Sequence, residues 1–189
     1  MGLEVFKGKV VWITGASSGI GKEMSLALAD SGAKLVLSSR GEGALNAIKQ
    51  EKDLTDDRCL ILPLDLSEMQ NVEQKVALVM KHFGRIDYLI NNGGISQRSY
   101  SYETGVEVDR QVFETNFFGT VALTKAVLPV MIEQGSGHLS ATSSIVGKFG
   151  FPLRSAYSAS KHALHGFFDS VRAEVKDKGI KVAMIIPGR

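Results

Sequence analysis

Cysteine is nearly absent from this chain: Cys59 stands alone among 189 residues. No disulfide framework can form within the chain, and a reducing compartment suits it. An excess of either charge is also lacking. Lys and Arg number 22 against 20 Asp and Glu, a formal net charge of +2, which gives no reason to expect nucleic acid or an anionic membrane as the main partner. No apolar run is long enough to span a bilayer, and no signal-peptide pattern precedes the first strand pattern. Phe6 occupies the position where a myristoylation signal after Met1-Gly2 needs Ser or Thr. As written, the chain is expected to be soluble and cytoplasmic.

What is present is an ordinary core composition, 44% hydrophobic and 22% charged, enough for one sizeable domain over residues 1–189. Apolar runs and helical patterns alternate throughout. They predict strands at 9–14, 33–38, 59–64, 86–90, 136–143 and 180–186, and helices at 20–31, 41–52, 69–83, 109–133 and 155–177. Alternating elements with short loops imply an α/β fold with a parallel sheet covered on both faces. Right-handed crossovers make it doubly wound and Rossmann-like, in the order 3-2-1-4-5-6. The only long loop follows strand four, and ligands gather at such carboxyl ends.

Between strand one and helix one lies Thr14-Gly15-Ala16-Ser17-Ser18-Gly19-Ile20-Gly21. Its glycines permit a tight turn and close approach of a phosphate, and the helix start supplies unpaired N–H groups. A strand, a Gly-rich turn and a helix together point to a dinucleotide. An acid at the end of strand two would hold a ribose 2′-hydroxyl, but that position is Ser39, followed by Arg40. A serine can bond a 2′-phosphate and a guanidinium suits its charge, so NADP(H) is expected, with NAD(H) the alternative.

Tyr157 and Lys161 stand four apart and share one face of a helix. An ammonium within about 4–6 Å lowers an acid's pKa by roughly 1–3 units, which suits a phenol to acid–base work near neutral pH. His162, His165 and Asp169 also share a helix face. Without a further ligand, packing or solvation accounts for them better than a metal does.

The glycine turn, Asn91-Asn92-Gly93-Gly94 after strand four, Asn116 in Thr115-Asn116-Phe117-Phe118-Gly119, Ser144 thirteen residues before Tyr157, and Tyr157-Ser158-Ala159-Ser160-Lys161 occur in one order over residues 8–188. In order and spacing they resemble the short-chain dehydrogenase/reductase family, in its hydroxysteroid, retinoid and carbonyl reductase branch. The resemblance implies hydride transfer between a nicotinamide and a carbonyl or alcohol. Tyr157 would be the general acid or base, Lys161 its support and ribose ligand, Ser144 the group that polarises the substrate oxygen, and Asn116 the holder of a relay water. Asp65, with Leu66, would lie near the adenine, although Asp65 also suits a helix cap ahead of Met69. Asn92, Gly93, Pro187 and Gly188 complete the expected cofactor site, Gly93 replacing the usual alanine.

The resemblance further implies a C-terminal strand and substrate lid beyond Arg189, so that 1–189 would be a truncated domain. It also implies an endoplasmic reticulum location should the native protein carry an N-terminal anchor. Phe117, Val121 and Leu128 on one helix, with Leu164, Phe168, Val171 and Val175 on another, suggest helices buried on two faces, hence a homodimer or homotetramer. The loop 95–105, with Phe149, Phe151 and Leu153, is expected to border a pocket for a small apolar carbonyl or alcohol. A scaffold protein that binds a dinucleotide without catalysis is the alternative, and an epimerase or lyase on the same scaffold ranks below it.

Overall fold

The computed structural model describes residues 2–188; Met1 and Arg189, the ends of the expected 1–189 domain, lie outside the described residues. Six parallel strands form one sheet in the order β3-β2-β1-β4-β5-β6, as the alternating pattern predicts. The strands are β1 Val10–Thr14, β2 Lys34–Ser38, β3 Cys59–Ile61, β4 Tyr88–Asn91, β5 Gly137–Thr142 and β6 Ile180–Ile185. The helices are α1 Gly19–Asp30, α2 Glu42–Glu51, α3 Val72–Phe83, α4 Val106–Phe113, α5 Gly119–Gln134 and α6 Ser155–Glu174.

Successive side chains of a strand point to opposite faces, and β1 shows how that divides the core. Val10 and Trp12 join Val76, Val79, Leu123, Val127, Leu164 and Phe168, which come from α3, α5 and α6. Val11 and Ile13 join Leu28, Leu45 and Ile48, from α1 and α2. All five residues of β1 are buried, the mark of a strand covered on both sides. The order reverses between β1 and β4, so their carboxyl ends diverge and leave a crevice there.

The differences from expectation are local. β3 ends at Ile61 rather than 64, although the Leu62 and Leu64 N–H groups still donate to the Leu37 and Ser39 carbonyls, each at 3.0 Å. α3 begins at Val72, not 69. The Asp65 carboxylate accepts the Ser67 N–H at 2.9 Å and the Ser67 hydroxyl at 2.7 Å, a local turn that competes with helix. Asp65 is therefore not the cap of α3. The helix expected over 109–133 runs from Val106 to Gln134, and five residues within it, Glu114–Phe118, are π-helical.

That stretch of 29 residues, with a mean hydropathy of 1.4, is long and apolar enough to cross a membrane by length and composition, where no such run was expected. Within the subunit Val112, Leu123, Val127 and Met131 of this helix are buried. The apolar faces expected to meet a second copy are also largely spent within the subunit. Leu164, Phe168, Val171 and Val175 are buried in the core, and Phe117 and Leu128 pack against it. Val106, Phe118 and Ile132 are the exposed apolar residues of the long helix.

Candidate active site

Two connected lobes occupy the carboxyl ends of the strands. A polar lobe of about 460 Å³ is lined by Thr14, Gly15, Ser17, Ser18, Ser39, Arg40, Asp65, Leu66, Asn92 and Gly93 among others. A second lobe of about 310 Å³ is lined by Ile20, Ser144, Tyr157, Lys161, Pro187 and Gly188 among others. Asn92, Gly94 and Ile95 line both, so the two form one cleft. Of the residues expected from sequence to hold the cofactor or do chemistry, all but Gly19, Gly21 and Asn116 line one or both lobes of this crevice. Asn116 lies behind its wall, with no exposed surface.

The ends of β1 and β4 are joined by side chains. Thr14 Oγ1 accepts the N–H groups of Asn92 and Gly93, each at 3.0 Å. Asn92 Nδ2 donates to the carbonyls of Thr14 and Gly15 at 3.2 and 3.4 Å. Thr14 and Asn92 therefore hold the turn in shape. The close packing explains the glycines. A Cβ on Gly15, whose φ is 65°, would stand 2.7 Å from Gly93 Cα, and one on Gly21 would stand 2.1 Å from the Gly15 carbonyl oxygen. Gly93 itself faces Leu66, whose Cδ1 would lie 2.6 Å from an added Cβ. Ser18 precedes α1 in extended conformation and does not cap it with its side chain. The N–H groups of the first turn, at Gly19, Ile20 and Gly21, point out of the helix with no partner inside it, a setting that fits a phosphate.

At the far end of the polar lobe the Ser39 hydroxyl donates to the Gly41 carbonyl at 3.2 Å, and Arg40 is exposed. Bonds from the Ser67 N–H and hydroxyl hold the Asp65 carboxyl below its usual range, and Arg40 adds to the effect.

In the second lobe Lys161 is 4% exposed. Its Nζ donates to the Thr142 carbonyl at 2.7 Å and stands 5.6 Å from the centroid of the Tyr157 ring. Burial lowers its pKa from 10.5 to about 8. Ser144 Oγ accepts the Val146 N–H at 3.4 Å, which leaves its hydroxyl proton free for another partner. Neighbouring Ser143 is a structural serine, bonded at 2.9 Å to His165 Nε2. His165 also meets Lys148 Nζ at 3.2 Å, and burial, then Lys148, lowers its pKa. His162 bonds the Ser158 carbonyl of its own helix at 2.8 Å, and Asp169 accepts from Arg172.

Asn116 sits in the π-helical turn. Its Oδ1 accepts the Ile95 N–H at 2.7 Å, and its Nδ2 donates to the Ile95 carbonyl at 2.8 Å and to Ser160 Oγ at 3.1 Å. Both amide protons are committed. Gly94 leaves room for this contact, since a Cβ there would lie 2.9 Å from Asn116 Oδ1 and 3.7 Å from Lys161 Nζ.

Sequence reasoning missed Gly94, the Thr142 carbonyl and Gln97. Gly94 was visible as a second glycine after the paired asparagines; the other two left no pattern. Gln97 is 7% exposed, accepts the Tyr157 N–H at 3.1 Å and donates to Ser155 Oγ at 3.2 Å. Phe149 and Phe151, expected at the pocket, are each 48% exposed and lie outside the lining of the second lobe.

Residues 9–189 match the model of the short chain dehydrogenase family. The chain belongs to that family, whose members are oxidoreductases that bind a nicotinamide dinucleotide. It is 46% identical over 185 residues to the Dehydrogenase/reductase SDR family protein 7-like of Drosophila melanogaster, covering 96% of this chain and 57% of that one. It is 46% identical over 184 residues to the human Dehydrogenase/reductase SDR family member 7, covering 95% of this chain and 54% of that one. The chain thus spans little more than half the length of these curated relatives. Among solved structures, a short-chain dehydrogenase from Streptomyces avermitilis is 36% identical with a TM-score of 0.90, covering 95% of this chain and 65% of that one. A short chain dehydrogenase/reductase from Burkholderia phymatum, in complex with NAD, is 27% identical with a TM-score of 0.91, covering 97% and 66%.

Proposed function

We propose that the protein is an oxidoreductase acting between NADP(H) and the carbonyl or secondary alcohol of a small apolar substrate. One observation carries the reading: the lobe lined by Ser39, Arg40 and Asp65 opens into the lobe lined by Ser144, Tyr157 and Lys161. The polar lobe suits a dinucleotide, because Gly15 and Gly93 in its lining carry no side chain into it. When bound, the nicotinamide supplies or accepts the hydride.

The chain's own groups handle the oxygen and its proton. In reduction the Tyr157 hydroxyl gives a proton to the substrate oxygen, and in oxidation it takes one. The free Ser144 hydroxyl proton donates a hydrogen bond to the same oxygen as charge builds there. Lys161, held by the Thr142 carbonyl, keeps a titratable ammonium beside the Tyr157 ring. Asn116 fixes Ile95, and with it the chain between the two lobes. Ile20, Ile95 and Pro187 in the lobe's lining, and exposed Ile145 and Ile186 nearby in sequence to Ser144 and Pro187, favour an apolar substrate.

Ser39 in place of an acid, with Arg40 beside it, favours NADP(H) over NAD(H). The exposed apolar residues Val106, Phe118 and Ile132 support assembly as a homodimer or homotetramer through the long helix.

The test is Tyr157→Phe. NADPH binding, followed by quenching of Trp12, should stay near the parent value while carbonyl turnover falls by about 10²–10⁴-fold. A near-parent rate in Tyr157→Phe refutes the acid–base role. Dinucleotide binding without turnover of any ketone or quinone in the parent chain would favour the scaffold reading.

A further inference from the structure

We propose that Gln97 is a positioning residue for Tyr157, its buried side-chain amide fixing the first turn of α6 from the loop that follows β4. The proposal rests on the reading of Tyr157 as the acid–base group.

Tyr157 is the third residue of α6, and N–H groups of a helix's first turn find no acceptor within the helix. Most helices meet that need locally, with Ser, Thr, Asp or Asn at the cap. Here the cap residue is Arg154, whose side chain makes no capping bond. Gln97 does the work instead, from 60 residues away in sequence. Its Oε1 accepts the Tyr157 N–H at 3.1 Å, and its Nε2 donates to Ser155 Oγ at 3.2 Å. One amide grips two residues of the turn that carries the phenol.

The grip is returned. Arg154 Nη1 donates to the Gln97 carbonyl at 3.1 Å and to Ser96 Oγ. The Ser99 N–H donates to the Leu153 carbonyl at 3.3 Å. Leu153 has a φ of 65°, a left-handed conformation that a leucine holds only when its surroundings impose it. The Arg154 guanidinium lies 6.0 Å from the Tyr157 ring centroid. Ser96 and Tyr157 both line the second lobe. The loop that borders the lobe and the helix turn that carries the phenol are therefore one locked unit, and Gln97 is its centre. An apolar residue at 97 would leave the Tyr157 N–H without an acceptor and free the turn to shift. Displacements of about 1 Å in such a setting cost up to about 10²-fold in rate.

The experiment compares Gln97→Leu, Gln97→Glu, Tyr157→Phe and the double variant Gln97→Leu/Tyr157→Phe in the full chain. Three quantities are read: amide hydrogen exchange at residue 157, the NADPH dissociation constant, and kcat with phenanthrenequinone as the carbonyl probe. Gln97→Leu should speed exchange at Tyr157 by about tenfold or more. It should lower kcat by about 10- to 100-fold and leave NADPH affinity near the parent value. Gln97→Glu keeps an acceptor oxygen and should restore slow exchange and most of the rate. In the Tyr157→Phe background, Gln97→Leu should cost nothing further, because residues acting as one unit are not additive.

Exchange at Tyr157 unchanged in Gln97→Leu overturns the proposal, whatever the turnover. An equal fold-loss of kcat in both backgrounds also overturns it, since the effect would not pass through the phenol. A near-parent rate in Tyr157→Phe alone refutes the reading of the site, and the exchange result then still decides whether Gln97 holds the turn. If Gln97→Leu does not fold, Arg154→Met at its part-exposed position removes the return grip. It should speed exchange and lower kcat in the same direction to a smaller extent, and no change in either overturns the proposal.

Discussion

Replacing Lys161 with Met should make the protein more tolerant of neutral pH and reverse the balance in alkali. The ammonium is 4% exposed, so its electrostatics need little discount for screening, and burial brings its pKa from 10.5 down to about 8. At about 1.4 kcal/mol per pH unit, that gap corresponds to about 3 kcal/mol. The sign follows from which state binds the proton. Between about pH 8 and 10.5 the unfolded chain holds the extra proton, so the parent gains stability as pH rises through this window. The penalty is full below about 8 and gone above 10.5. Methionine never carries it. Losing the bond from Nζ to the Thr142 carbonyl costs the variant about 1–3 kcal/mol, but that cost does not vary with pH. Cys59, whose thiol is pushed up to about 11 by burial, titrates alike in both chains and cancels. Urea unfolding of both proteins without cofactor, followed by the fluorescence of buried Trp12, measures the difference at each pH from 7 to 11. The parent should gain about 3 kcal/mol on Lys161→Met across the window. A difference that stays flat, or moves the other way, would show that Lys161 does not pass from a buried ammonium to a neutral amine there.

Two further substitutions probe the polar lobe. Ser39→Asp places a carboxylate where a 2′-phosphate would lie, and should turn a preference for NADPH of about tenfold, about 1.4 kcal/mol, into a preference for NADH; titration of parent and variant with both cofactors measures it, and equal constants in the parent would sink the argument. Gly21→Ala should cost more than about 2 kcal/mol and weaken dinucleotide binding, because its Cβ would meet the Gly15 carbonyl oxygen at 2.1 Å, an overpacking against backbone that cannot move aside; a variant as stable as the parent in urea would contradict the packing of this turn.

The fold was legible because the central strand is covered on both sides, and buried runs such as Val10 to Thr14 are unmistakable between helical patterns. Connection rules then left few orders, and the sheet has the expected one. Boundaries failed where a local side-chain bond governs the backbone, as at the Asp65–Ser67 turn. The π-helical turn at Asn116 was foreshadowed only by the poor helix propensity of asparagine, which says that something is unusual but not what. The site was legible in so far as its groups act through side chains at fixed spacing, as Tyr157 and Lys161 do. The Thr142 carbonyl is backbone and leaves no trace in residue type. Gln97 is one amide in a polar loop whose partners lie 58 and 60 residues further on, a distance no local pattern spans. A second apolar face does not by itself tell a subunit contact from the core, because a residue on it can be buried by its own sheet, as Phe168 is.

The wide turn at Glu114–Phe118 amounts to a surplus residue carried inside a helix. Each residue turns a helix by about 100°, so α4 is rotated by about that angle from where an unbroken helix would put it. Closing these five residues into regular α-helix with none removed would swing one half of the long helix round against the other and carry Asn116 away from Ile95, or Val112 out of the core. Deleting one residue would instead absorb the surplus and keep both halves facing as they do, at the cost of the turn that aims Asn116. A more perfect helix in this place would be a poorer protein.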